Sequence, residues 1–166
     1  MEMTKRFDVY GIGNALIDAE IEVSDEVLID QGLSKGGMTL VTVEEQAQLL
    51  AALKRYKPIR AAGGSSANTM AGISLFGGLT SFTGKIGDDP AGEFYGSEMD
   101  AQGVKFIVDK GAGPTGLCVV LVTPDGERTL QTSLGASVTL TENDIRSDWI
   151  ENCQFVYLEG YLWGSP

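Results

Sequence analysis

The sequence predicts an α/β layered fold with a small antiparallel β-sheet set to one side. Three observations carry this. Strand-like and helix-like segments alternate from Phe7 onward, the order expected of a parallel sheet covered by helices. Segments at 16–23, 38–41 and 115–134 instead show half-exposed alternation, which suits a small antiparallel sheet beside that core. Between these sets lies Gly63-Gly64-Ser65-Ser66-Ala67-Asn68-Thr69-Met70-Ala71, where two adjacent glycines open a helix. Such a junction leaves first-turn N–H groups unpaired, and paired glycines let the main chain approach a ligand closely. Taken by itself, the nonamer is more simply a strand-to-helix turn with serine caps.

Composition bounds the answer. A chain of 166 residues with 43% hydrophobic and 21% charged residues is long enough, and apolar enough, for one domain with a real core. The formal net charge of −11 repels phosphate backbones and anionic surfaces, which argues against nucleic acid and membrane partners. It leaves room for a small phosphorylated ligand held by main-chain N–H groups. The N-terminus does not read as a signal peptide, no apolar run nears the ~20 residues of a membrane span, and a cytoplasmic location fits. Cys118 and Cys153 lack metal-site spacing and read as reduced core residues. With 0 histidines there is no Ser-His-Asp or Cys-His machinery and no histidine metal site. Acid–base work would fall to a carboxylate, a lysine or a tyrosine.

In chain order, Phe7–Ile12 is a buried strand closed by the turn Gly13-Asn14. A dinucleotide fingerprint is rejected there, because its third glycine would fall at Leu16 and a strand, not a helix, follows. Asp18, Glu20 and Glu22 share one strand face against Ala19, Ile21 and Val23, and Asp18 stands out as following the Asn14 turn. Ser24-Asp25 caps a short helix, Gly36-Gly37 leads into the strand Met38–Val41, and Thr42-Val43-Glu44-Glu45 has capping-box spacing. The helix behind it places Ala47, Leu50, Ala51 and Lys54 on one stripe, with Leu49 and Leu53 adjacent, until Pro58 stops it. The helix after Gly64 runs through Ala67, Met70, Ala71, Ser74 and Leu75 to Gly77-Gly78.

Next come a strand over 79–84 and Lys85-Ile86-Gly87-Asp88-Asp89, with Leu79 and Ile86 excluding a P-loop. Asp88 and Asp89 are formally a metal pair, but Asp89-Pro90 fits better as an N-cap with proline at the first helical position, ending near Gly103. Lys105–Val108 is a short strand. Thr115–Thr123 and Arg128–Leu134 form a hairpin about Asp125-Gly126. Thr141-Glu142-Asn143-Asp144 is a second capping box ahead of a helix reaching Trp149, and 154–163 reads as a final apolar strand.

Five motifs in order now carry a resemblance. They are Gly11-x-Gly13-Asn14-x-x-x-Asp18, Gly63-Gly64-x-x-x-Asn68, Gly84-Lys85-Ile86-Gly87-Asp88-Asp89-x-x-Gly92, Pro114-Thr115-Gly116 and the strand ending in Gly160-Tyr161. The chain resembles the N-terminal half of the ribokinase-like (PfkB-type) sugar and nucleoside kinases, nearest the adenosine-kinase branch. That resemblance implies a three-layer α/β/α sheet with a β-sheet lid, residues 1–166 being the N-terminal part of one such domain and the C-terminal ATP-binding half being absent. It implies that Asp18 from the lid, with Gly63, Gly64 and Asn68, grips the hydroxyls of a sugar or nucleoside, Asn14 and Ser65 lying close by. Lys85 falls where the family has a basic residue. Glu159, at the end of a core strand, either contacts substrate or is a paired or solvated strand-end acid.

ATP and magnesium are implied as cofactors, with their main sites outside this chain. The family's Gly-Ala-Gly-Asp-like segment, which places a catalytic Asp beside an anion-holding helix N-terminus, does not occur. No catalytic residue and no metal ligand is therefore assigned. The expected function is the substrate-binding half of an ATP-dependent kinase of a sugar or nucleoside hydroxyl, adenosine-like favoured and inactive by itself. The alternative is a non-catalytic ligand-binding or interaction module using the lid sheet, whose exposed edges also offer a homodimer contact. Tyr161 serves either as a stacking partner for a base or as an ordinary core tyrosine.

Overall fold

The computed structural model describes residues 6–106 and 110–164. The first half forms β1 (Phe7–Ile12), β2 (Leu16–Glu22), α1 (Asp25–Asp30), β3 (Met38–Leu40), α2 (Val43–Ala52), β4 (Ile59–Gly63) and α3 (Ser65–Leu75). The second forms β5 (Thr80–Thr83), α4 (Pro90–Ala101), β6 (Val104–Phe106), β7 (Gly116–Val122), β8 (Arg128–Ser133), α5 (Ser147–Glu151) and β9 (Cys153–Leu158). Ile107 and Val108, expected to continue β6, lie outside the described residues.

The main sheet has the order β6-β5-β1-β9 with every pairing parallel. Helices α3 and α4 cover one face, where Met70, Phe82, Tyr95, Met99 and Val104 are buried together. On the other face Phe7, Tyr10 and Ile12 pack on Trp149 of α5, with ring centroids 5.3 Å (Phe7) and 5.4 Å (Tyr10) from the indole. Helix, sheet and helix thus make three layers, as the α/β class requires. The last strand departs from expectation. β9 stops at Leu158, Gly160–Gly164 is a 3-10 turn, and Phe155 (68% exposed) is open to solvent on what is an edge of the sheet.

The lid is a five-stranded sheet in the order β3-β8-β7-β2-β4. It is mixed rather than antiparallel, because β2 pairs parallel with β7 and β3 pairs parallel with β8. The reason is topological: β2 and β7 both leave the main body for the lid, whereas β3, β4 and β8 run back toward it. β4 had no counterpart in the sequence reading. It is a short edge strand following Pro58, with only Ala62 and Gly63 buried, so it shows no alternation to detect.

One lid face packs on α1 and α2 through Ile21, Val119, Leu121, Leu28, Leu49 and Leu53. The buried stripe of α2 is Gln46, Leu49 and Leu53; Ala47 and Ala51 face solvent, a rotation from the expected stripe. Gln46 decides that phase, since its buried amide donates to the Leu117 and Gln131 carbonyls at 2.7 and 3.0 Å. The Thr42–Glu45 capping box is present in both directions. The Thr141–Asp144 box closes only a 3-10 turn, and α5 begins separately at Ser147, because Asp144 is also drawn into an ion pair with Lys85 at 2.6 Å. Leu75, the last residue of α3, is 80% exposed.

Asp89 ties lid to body. It caps α4 by accepting from the Gly92 N–H at 2.8 Å, and accepts from the Thr115 N–H (2.8 Å) and hydroxyl (2.6 Å) just before β7. Burial by itself raises the Asp89 carboxyl, but these donors outweigh it and hold it below its ordinary value. Ionised Asp89 therefore stabilises the fold above the unfolded carboxylate pKa, and that stabilisation is lost as pH falls through the lowered folded value. Asp89→Ala is expected to cost about 1–2 kcal/mol, read as a lower urea midpoint with an unchanged slope.

Candidate substrate-binding site

A cleft of about 400 Å³ opens between the inner face of the lid and the N-terminus of α3. Its polar side carries Asn14, Asp18, Gly64, Ser65, Asn68 and Glu159. Its other wall is apolar, built from Leu16, Met38, Leu40, Leu130 and Leu134 of the lid. A pocket of this size, mostly apolar with a few convergent polar groups, is the usual form of a small-molecule site.

Asp18 reaches the cleft through lid register. It pairs with Cys118, which pairs with Thr132, so the three side chains form one row on the face opposite α1 and α2. No described residue hydrogen-bonds the Asp18 carboxylate, and burial raises its pKa above the ordinary value, with Arg128 opposing and Glu20 adding to the effect. Gly63 lies directly beneath: a Cβ there would sit 2.5 Å from the Asp18 carboxylate carbon. Gly63 does not line the cleft itself; its contribution is the space for Asp18. Tyr95, fully buried, donates to the Gly63 carbonyl at 3.1 Å, and burial, then Glu159 and Asp18, push its phenol well above the usual value.

Gly64 supplies the turn into α3 with φ of 100°, a backbone region that side chains disfavour. Ser65 and Asn68 then project from the first turn toward the cleft, exposed to solvent.

The α3 N-terminus departs from the sequence expectation. Its donors are not all left for a ligand, because Glu159, 3% exposed, occupies the position. Oε1 accepts from the Asn14 N–H at 2.6 Å and from Asn14 Nδ2 at 2.7 Å. Oε2 accepts from the Ser65 hydroxyl at 2.6 Å and the Ser66 N–H at 3.2 Å. Glu159 is thus a paired acid that also lines the cleft. Asn14 Oδ1 accepts in turn from the Ser137 hydroxyl at 2.9 Å, which fixes the orientation of the carboxamide.

Other expectations resolve readily. Lys85 is engaged with Asp144 and does not line the cleft. Asp88 pairs with Lys110 and Asp89 caps α4. Tyr161 is 66% exposed at the cleft mouth, not in the core. Cys118 and Cys153 are free, buried thiols, and burial raises the Cys118 thiol, so it stays protonated. The apolar wall escaped sequence reading. Leu130, Thr132 and Leu134 alternate on one face, but only the pairing with β7 shows that this is also the face of Asp18.

The arrangement does not fit a triphosphate. Among the described residues the cleft lining includes two carboxylates and no lysine or arginine, and the α3 N-terminus already holds one of them. Among the described residues no group of three histidine, cysteine, aspartate or glutamate side chains is placed to hold a metal ion. No described helix is long and apolar enough to cross a membrane.

Comparison with known proteins finds adenosine and sugar kinases among the relatives of this chain. Adenosine kinase 2 of Arabidopsis thaliana is 28% identical over 161 residues, covering 92% of this chain and 46% of that protein. A probable sugar kinase from Rhizobium etli CFN 42 superposes with a TM-score of 0.88 at 38% identity, over 98% of this chain and 49% of its own. Adenosine kinase from Sinorhizobium meliloti does so with a TM-score of 0.86 at 38% identity, over 97% and 49%. The chain thus spans about half the length of the relatives it matches. A family model described as pfkB family carbohydrate kinase matches residues 38–165, and with the ribokinase-like sheet and lid already described, the chain belongs to that family.

Proposed function

We propose that the cleft is the acceptor site of an ATP-dependent kinase that phosphorylates a hydroxyl of a nucleoside or sugar, with an adenosine-like nucleoside favoured. The observation that carries this is the Asp18 carboxylate, desolvated, free of described hydrogen-bond donors and facing the cleft beside Ser65 and Asn68. Two carboxylate oxygens accept from two neighbouring hydroxyls, and the Asn68 amide both donates and accepts. The wall of Leu130, Leu134, Met38 and Leu40 faces this polar end and suits the flat apolar surface of a base better than a second set of hydroxyls would. The adenosine kinases among the relatives support the same choice.

ATP and magnesium belong to the reaction through the family, and the catalytic Asp with its anion-holding helix lies outside this chain in the same reading. Residues 1–166 are then the acceptor-binding and lid portion of one ribokinase-like domain. The test is phosphoryl transfer from ATP and magnesium to adenosine, ribose and fructose, using this chain and the polypeptide extended through any coding sequence beyond Pro166. Transfer to adenosine by the extended polypeptide alone is expected. Turnover by the 166-residue chain would contradict the division of labour, and transfer to fructose in preference to adenosine would contradict the acceptor.

A second reading concerns assembly. Edge strand β3 exposes Met38 (51%) and Leu40 (60%), and edge strand β4 exposes Ile59 (73%), which favours association of two chains through the lid strands. Sedimentation equilibrium of the chain and of Ile59→Lys checks it, a loss of dimer in the variant being the expected result.

A further inference from the structure

We propose that Glu159 is a positioning residue that sets the hydrogen-bonding polarity of the cleft, so that it admits uncharged polyhydroxyl ligands and excludes anionic ones. This rests on the reading of the cleft as an acceptor site. Ser65 has one hydroxyl proton, and it goes to Glu159 Oε2 at 2.6 Å. Toward a ligand the Ser65 side chain therefore presents only lone pairs. Asn14 is held the same way: Nδ2 donates to Glu159 Oε1 and Oδ1 accepts from Ser137, leaving one amide proton. Asp18 accepts only. The polar wall is consequently rich in acceptors, and the complementary ligand is rich in O–H donors.

Charge acts in the same direction. A helix N-terminus attracts anions through its free N–H groups and partial positive charge. At α3 an internal carboxylate already takes the Ser66 N–H and compensates that charge. Asp18 adds a second carboxylate across the cleft, and no described cation lines it. Arg128 lowers the Asp18 carboxyl through space and pairs with Glu20 at 3.4 Å but does not line the cleft, and Lys85 pairs with Asp144 at 2.6 Å. A phosphate or carboxylate ligand, which offers acceptors and negative charge, meets acceptors and negative charge. A sugar hydroxyl meets neither conflict.

Glu159→Gln alters this polarity at nearly constant shape. The new amide keeps one acceptor oxygen and puts a donor in place of the other, so either the Asn14 pair or the Ser65 hydroxyl with the Ser66 N–H loses its acceptor. Glu159→Asp keeps the charge but is one methylene shorter. The experiment titrates the 166-residue chain and both variants with adenosine and, separately, with inorganic phosphate, following heats and the amide resonances of Ser65 and Ser66. In the parent chain adenosine binds and phosphate leaves those amides unshifted. In Glu159→Gln, adenosine weakens by roughly tenfold or more and phosphate produces saturable shifts. In Glu159→Asp, adenosine weakens while phosphate stays excluded, a separation that a merely structural role would not produce.

Saturable phosphate shifts at Ser65 and Ser66 in the parent chain, or unchanged adenosine and phosphate behaviour in Glu159→Gln, overturn the proposal. If adenosine, ribose and fructose all fail to bind the parent chain, the acceptor-site reading fails, while the phosphate titration still judges Glu159. Should a variant not fold, the phosphate titration of the parent chain decides.

Discussion

Asp18→Ala is expected to weaken adenosine binding by roughly a hundredfold, since it removes two hydrogen bonds to a charged acceptor. The carboxylate must be ionised to accept both hydroxyls. Because burial raises its pKa in the ligand-free chain, affinity is expected to fall on acidification at a higher pH than an unperturbed aspartate would give. The linkage to folding has the opposite sign to that of Asp89. A carboxyl whose folded pKa is raised binds its proton more tightly in the folded state, so ionised Asp18 opposes folding above that pKa. Stability contributed by this group rises as pH falls through the raised value. Asp18→Asn is thus expected to increase the melting temperature at neutral pH while losing adenosine, a trade between stability and binding. A variant that binds as well as the parent, or that melts lower, would remove Asp18 from the site.

Gly64→Ala is expected to cost about 3 kcal/mol or more of folding stability. Two effects add. The backbone at φ of 100° is disfavoured for any side chain, and a Cβ would run into the carbonyl oxygen of Asn14. Neither partner has room to move, because Asn14 is held by Glu159 on one side and Ser137 on the other. Urea unfolding reads the loss directly. Gly63→Ala makes an informative contrast. Its φ is not in the left-handed region, and what the methyl group meets at 2.5 Å is the Asp18 carboxylate rather than backbone. That variant is expected to lose adenosine affinity out of proportion to stability. Equal effects of the two substitutions on both properties would contradict the distinct roles given to the two glycines.

Much of this site was legible in the sequence because its signals are local. The alternation about Asp18 places the acid on one strand face without reference to any partner. The caps at Thr42 and Asp89 are complete within a few residues. What sequence reading missed depends on contacts distant in the chain. The donors to Glu159 lie between 93 and 145 positions away, so a buried clamp was indistinguishable from a strand-end acid. Half-exposed alternation suggests an antiparallel lid but does not record strand direction, which is set by where β2 and β7 leave the main body. The stripe of α2 was rotated because a polar residue, Gln46, faces inward to hydrogen-bond the sheet, and a hydrophobicity pattern counts glutamine as outward. β4 shows no alternation, its first three residues being exposed and only Ala62 and Gly63 buried.

The most direct test is a crystal structure of the chain grown with saturating adenosine. The ribose hydroxyls are expected within hydrogen-bond distance of Asp18 and Asn68, with Ser65 accepting and the base against Leu130 and Leu134. Adenosine bound outside the cleft, or lying with its base at Asp18 and its ribose on the apolar wall, would contradict the assignment of this cleft.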